Sequence, residues 1–191
     1  MQKIILASQS PRRRQLLEWA EIDFSVEASE ADETYPEYLP VAEIPVLIAM
    51  KKAKAVQQKI KHGPIILAAD TIVVLNDTVI TKPADRDDAV KILRSLSGKV
   101  HNVITGVVVL QNEKQVSFAD ITQVEFHELT NEQISFYVDK YKPYDKAGAY
   151  AIQEWIGVVG IKSINGDFYN VMGLPVSRVV KEINKFLQGK I

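Results

Sequence analysis

The chain has 191 residues, 47% of them hydrophobic and 25% charged, which suits one soluble globular domain at about 150 residues per domain and excludes a disordered, collagen-like or fibrous chain. Lys and Arg number 23 against 24 Asp and Glu, so the chain lacks the strong positive field that duplex nucleic acid demands and no nucleic-acid partner is expected. There is no cysteine, which removes disulfides, thiolate nucleophiles, iron–sulfur clusters and thiolate zinc sites and is compatible with a reducing cytoplasm.

In chain order, Lys3 to Ala7 is a short aliphatic run that predicts a strand, followed by Ser8-Gln9-Ser10-Pro11, where Ser10 can cap a helix opened by Pro11. Leu16, Leu17 and Ala20 supply that helix with an apolar face, and Phe24 to Val26 reads as a second strand. Ala28 to Pro40 is acidic and aperiodic and predicts a loop, of a length uncommon unless the loop has work to do. Pro45 can open a helix reaching Ile60; Ile65 to Leu75 is an aliphatic run suited to a buried strand, and Asn76-Asp77 offers a turn. Asp85 or Asp87 can cap a helix through Leu96, closed by Gly98. Asn102 to Leu110, Val116 to Ala119 and Ile121 to Phe126 predict the strands of a meander. Thr130 with Gln133 forms a capping-box pattern for a helix to Lys140. Ile156 to Ile164 predicts a further strand, and Pro175 to Leu187 a terminal amphipathic helix stopped by Gly189. No run approaches the ~18 to 20 apolar residues that cross a bilayer, so neither a signal peptide nor a membrane span is expected. The pattern is that of a mixed α/β protein.

Three features carry chemistry. The turn Ser8-Gln9-Ser10-Pro11-Arg12-Arg13-Arg14 puts hydroxyls, helix N-terminal amides and guanidinium groups at the end of a strand, which makes either a phosphate cradle or a capped helix with solvated arginines. Asp70 interrupts the aliphatic run Ile65 to Leu75, where a buried carboxylate costs several kcal/mol unless a cation or donors meet it. A metal, a lysine or a reacting water would serve; otherwise the strand ends at Ala69 and Asp70 caps a bend. Lys52 interrupts the apolar stripe of Ile48, Ala49, Ala55 and Val56, so it either snorkels to solvent or points into a cleft, whereas Lys54 looks solvated.

Glu33, in the acidic loop, either is solvated or joins Asp70 on Mg²⁺ or Mn²⁺, which take a few carboxylates plus substrate phosphates. His62, His101 and His127 are isolated from one another, so any metal needs oxygen ligands, and His101 reads as a structural hydrogen-bonder. Neither Lys82, before Pro83, nor Lys146 is informative alone. The G-x-x-x-x-G-K-[ST] pattern of P-loop NTPases is absent.

Several segments together resemble one family: Leu6 to Arg13, Lys52-Ala53, Ala68-Ala69-Asp70-Thr71, Lys82-Pro83, Ser97-Gly98 through Gly106, Asp145 to Gln153, and Asn170 to Pro175. In this order they resemble the Maf family of nucleoside triphosphate pyrophosphatases. The resemblance implies an α/β fold similar to the inosine triphosphate pyrophosphatases, with a mixed elongated sheet, flanking helices and a cleft between two lobes in a single domain, often a homodimer. It implies metal-dependent hydrolysis, with Mg²⁺ or Mn²⁺, of a nucleoside triphosphate to monophosphate and pyrophosphate. By position, Asp70 matches the general base, Glu33 helps it on the metal, and Ser8, Arg13, Lys52 and Lys82 match triphosphate contacts. Arg12, Thr71 and Gln153 match the positions that mark the dTTP/UTP branch rather than the 7-methyl-GTP branch. Gln9 and Glu154 stand where glycine is common in the family. The competing expectation is a nucleotide-binding regulator of cell division with no turnover.

Overall fold

The computed structural model describes residues 3–60 and 63–189, so His62 lies outside the described residues. The chain divides into two compact units, one of residues 1–70, 105–120 and 173–191 and the other of residues 71–104 and 121–172. Among the described residues no helix is long and apolar enough to cross a membrane.

In chain order the elements are β1 (Ile4–Leu6), α1 (Pro11–Trp19), β2 (Phe24–Val26), a 3₁₀ turn Val41–Glu43 leading into α2 (Ile44–Ile60), β3 (Ile65–Leu75), β4 (Thr78–Ile80), α3 (Arg86–Leu96), β5 (Val100–Gln111), β6 (Lys114–Phe126) and α4 (Asn131–Tyr141). After a 3₁₀ turn at Ala147–Ala149 come α5 (Trp155–Gly160), β7 (Ile161–Asn165), α6 (Phe168–Met172) and α7 (Val176–Leu187). The seven strands form one mixed sheet in the order β2-β1-β3-β5-β6-β7, with β4 paired to β3. The protein is therefore mixed α/β, with flanking helices, as the sequence pattern predicts.

In the first unit β1 runs parallel to β2 and to β3, with Ile4 opposite Phe24 and Ile65. All three residues of β1 are buried, which is why it reads as a continuous apolar run. Helix α2 lays Ala49, Ala53 and Val56 on Ile5, Ile66, Ala68, Val108 and Leu110. Small residues on both sides allow the close approach, and Gly106 of β5 is obligatory there: a Cβ would stand 2.2 Å from the backbone of Pro45 and Val46. That approach fixes the face of α2 that carries Lys52.

In the second unit, β3 and β4 are joined by Asn76 and Asp77, both at positive φ (48° and 62°), as a two-residue hairpin requires. Asp85 caps α3 by accepting from the Asp88 amide at 2.9 Å, and Thr130 and Gln133 make the full capping box of α4.

Two expectations need correction. The strands predicted at Val116 to Ala119 and Ile121 to Phe126 are one strand, β6, because Asp120 stays in the extended chain, where the Arg178 guanidinium donates to the Ala119 carbonyl at 2.9 Å and stands 3.4 Å from the Asp120 carboxylate. The strand predicted over Ile156 to Ile164 begins only at Ile161. Ahead of it the Glu154 carbonyl accepts from the amides of Gly157 and Val158, opening α5. Gly157 permits this because a Cβ there would stand 1.7 Å from the Ile152 carbonyl oxygen. Val158 and Val159 of that apolar run are exposed.

Candidate active site

Asp70 lies mid-strand in β3, directly after the fully buried Ala68 and Ala69. The strand does not end at Ala69, so Asp70 does not cap a bend; it is a carboxylate inserted into an apolar strand. Its cost is met by Lys52, whose Nζ stands 2.7 Å from Asp70 Oδ1 and 2.7 Å from Glu33 Oε1. The side chains of Lys52 and Asp70 are each only 14% exposed. Lys52 thus points inward to the carboxylates, while Lys54 on the same helix is exposed, as expected.

The loop that brings Glu33 is held by its neighbours. Asp32 accepts hydrogen bonds from the Thr34 amide at 3.0 Å and from the Thr34 hydroxyl, and these bonds lower the Asp32 pKa. Lys51 donates to the Thr34 carbonyl at 2.6 Å. Lys51 is a residue that sequence reasoning missed, since nothing in a helix pattern shows which distant loop a surface lysine will grip.

The Ser8 to Arg14 turn forms the second part of the site. Ser8 and Arg13 are buried. The Ser8 hydroxyl accepts from the Ser10 amide at 3.2 Å and from an Arg13 guanidinium nitrogen at 3.1 Å, and Arg13 Nε donates to the Gly173 carbonyl at 2.8 Å. Burial pulls the Arg13 guanidinium below its ordinary value and Asp70 acts in the opposite direction; Arg12 adds to the lowering and Glu33 opposes it. The structure therefore brings Ser8, Arg13, Glu33, Lys52 and Asp70 into one electrostatic neighbourhood. Ser10 occupies the N-cap position of α1 as predicted but makes no side-chain capping bond, and the first turn holds no acidic residue. Arg12 is partly exposed and Arg14 exposed.

Glu33 and Asp70 offer hard oxygen donors that converge on a single point, now held by the Lys52 ammonium. Among the described residues no group of three or more His, Asp or Glu gathers as a metal site. Two carboxylates completed by substrate phosphates are what Mg²⁺ or Mn²⁺ accepts, so these two residues fit such an ion.

The second unit carries the remaining candidates. Thr71 follows Asp70 in β3 and is half-buried, Lys82 is exposed just after β4, and Gln153 is exposed just before α5. His101 is the structural group expected of it: Nε2 lies 2.7 Å from the Tyr150 hydroxyl, the ring stacks on Phe126 at 5.5 Å, and burial pushes its pKa down to about 4.

The Maf-like protein family model matches residues 3–186. The chain belongs to the Maf-like protein family. Among its Maf-like relatives, a protein of Parabacteroides distasonis named dTTP/UTP pyrophosphatase is 50% identical over 96% of each chain. One of Cytophaga hutchinsonii with the same name is 50% identical over 98% of this chain and 86% of its own. A third, of Porphyromonas gingivalis W83, is 42% identical over 96% of this chain and 94% of its own. The solved structure of the Staphylococcus aureus Ham1 protein is similar in fold, with a TM-score of 0.54 at 14% identity over 99% of this chain and all of the other.

Proposed function

We propose that this Maf-family chain hydrolyses nucleoside triphosphates to the monophosphate and pyrophosphate, with dTTP and UTP as its favoured substrates. The observation that carries the reading is Lys52 Nζ, 2.7 Å from both Asp70 and Glu33, two carboxylates whose charge also reaches the buried Arg13. A protein that only bound phosphate would need the cations but not a carboxylate set into an apolar strand; one that activates water needs both. The relatives' name adds support at 50% identity across nearly the full length.

In this reading Ser8, Arg13, Lys52 and Lys82 hold the triphosphate, and their positive charge offsets that of the phosphates. Asp70 takes the proton of a water as its oxygen bonds to phosphorus; the anhydride bond breaks and pyrophosphate leaves, with no covalent intermediate on the protein. Glu33 and Asp70 would hold a divalent cation, which supplies Lewis acidity toward the phosphate oxygens. Arg12, Thr71 and Gln153 select the base: uracil and thymine present two carbonyl acceptors flanking one N–H, and an amide side chain offers the matching donor and acceptor.

The test is kcat/KM for dTTP, UTP, CTP, GTP and 7-methyl-GTP in the wild type and in Gln153→Ala. The wild type should prefer dTTP and UTP, and the variant should lose more on these two than on GTP. A wild-type preference for 7-methyl-GTP would contradict the pyrimidine assignment, and equal loss on every nucleotide would remove Gln153 from base selection.

A further inference from the structure

Gln153 is an exposed side chain on a segment that is otherwise buried and tied down. Ala149, Tyr150, Ala151 and Ile152 before it are all buried. The Glu154 amide donates to the Ala151 carbonyl at 3.1 Å, closing a four-residue turn with Gln153 in its third position. A single hydroxyl spans that turn. Tyr137, fully buried in α4, accepts from the Ala151 amide at 3.1 Å and donates to the Glu154 carboxylate. Glu154 is held in turn by Lys146, whose Nζ is 3.7 Å from the other carboxylate oxygen and 2.7 Å from Asp145. The hydrogen bonds of Tyr137 thus fall two residues before Gln153 and one residue after it.

A glutamine side chain is flexible, and selection by hydrogen bonding is sharp only where the backbone that presents the group is held within a fraction of an ångström. Of the anchors of this turn Tyr137 and Ala151 are buried and Glu154 is half-buried, so a lost partner leaves a buried polar group unpaired and the turn free to shift. We infer that Tyr137 and Glu154 are positioning residues for base selection, their shared hydrogen bond locking the Ala151–Glu154 turn that presents Gln153. This rests on the reading of Gln153 given under the proposed function. Neither residue touches substrate; each acts through Gln153.

The experiment is a double-mutant cycle read as the ratio of kcat/KM for dTTP over GTP, with thermal unfolding alongside. Tyr137→Phe keeps the ring and removes the hydroxyl; Glu154→Gln keeps the shape and weakens the acceptor. In the wild-type background both should lower the ratio, Tyr137→Phe by about tenfold. In the Gln153→Ala background Tyr137→Phe should lower it no further, because the two residues act as one unit. Amide exchange at Ala151 should accelerate in Tyr137→Phe. An unchanged ratio in both variants, a uniform loss on all nucleotides, or an undiminished effect of Tyr137→Phe in the Gln153→Ala background would overturn the inference while leaving wild-type hydrolysis in place. A wild type that fails to hydrolyse dTTP would overturn the parent reading and the selection role with it. If Tyr137→Phe does not fold, Glu154→Gln carries the same comparison.

Discussion

The Lys52 ammonium and the Asp70 carboxylate stand 2.7 Å apart, one from α2 and the other from the middle of β3, and both side chains are largely withdrawn from water. An ion pair at this depth stabilises the fold little in net terms, because desolvation consumes most of the attraction. Its presence at an apolar strand supports the general-base role proposed for Asp70.

Asp70→Asn should keep the fold and lose turnover, since the amide is nearly the same shape but cannot take a proton. The expected fall in kcat for dTTP is roughly 10²- to 10⁴-fold, with a melting temperature within a few degrees of wild type. Wild-type kcat in the purified variant would show that Asp70 is not the base.

Replacing Lys52 with methionine leaves Glu33 and Asp70 without the cation they share. Stability should fall by about 1 to 3 kcal/mol, measured by denaturant unfolding, and KM for dTTP should rise. Lys54→Met, at an exposed position of the same helix, should change stability by less than about 0.5 kcal/mol. Equal effects at the two positions would contradict the reading of Lys52.

Hydrolysis should stop on chelation with EDTA and return with Mg²⁺ or Mn²⁺, because hard oxygen donors are the ligands Glu33 and Asp70 offer. Full activity in EDTA and metal-free buffer would contradict this.

Burial holds His101 neutral in the fold, with a pKa near 4 against 6.5 for the free side chain. Between those values the unfolded chain binds a proton that the folded chain refuses, so this contribution is fully present above pH 6.5 and lost as pH falls toward 4. The loss amounts to about 3 kcal/mol. Denaturant unfolding of wild type and His101→Phe from pH 7.5 to 4.5 should show a steeper decline in the wild type. Parallel curves would show that His101 does not titrate between the two states.

Much of the site was legible because it violates local pattern. An Asp in an aliphatic run, a Lys in an apolar helix stripe and three arginines at the start of a helix, against its dipole, are each anomalies with physical reasons, and the structure joins Asp70, Lys52 and the Ser8–Arg13 turn around one charge cluster. The capping box at Thr130 was legible for the same local reason. What escaped depends on contacts between residues far apart in the chain. The β-branched residues of Ile156 to Ile164 read as strand, yet the first half curls into α5 because Gly157 backs onto the Ile152 carbonyl. Tyr137 looks like one more apolar residue of an amphipathic helix; that its hydroxyl meets residues 14 and 17 positions onward has no local signature.

Cleavage that releases pyrophosphate is read by ³¹P NMR of the products when the full chain acts on dTTP with Mg²⁺, with Asp70→Asn as the control. The wild type should release dTMP and pyrophosphate in equal amounts, and the variant should release neither at an appreciable rate. Products of dTDP and inorganic phosphate, or bound but unhydrolysed dTTP, from the wild type would contradict pyrophosphate release.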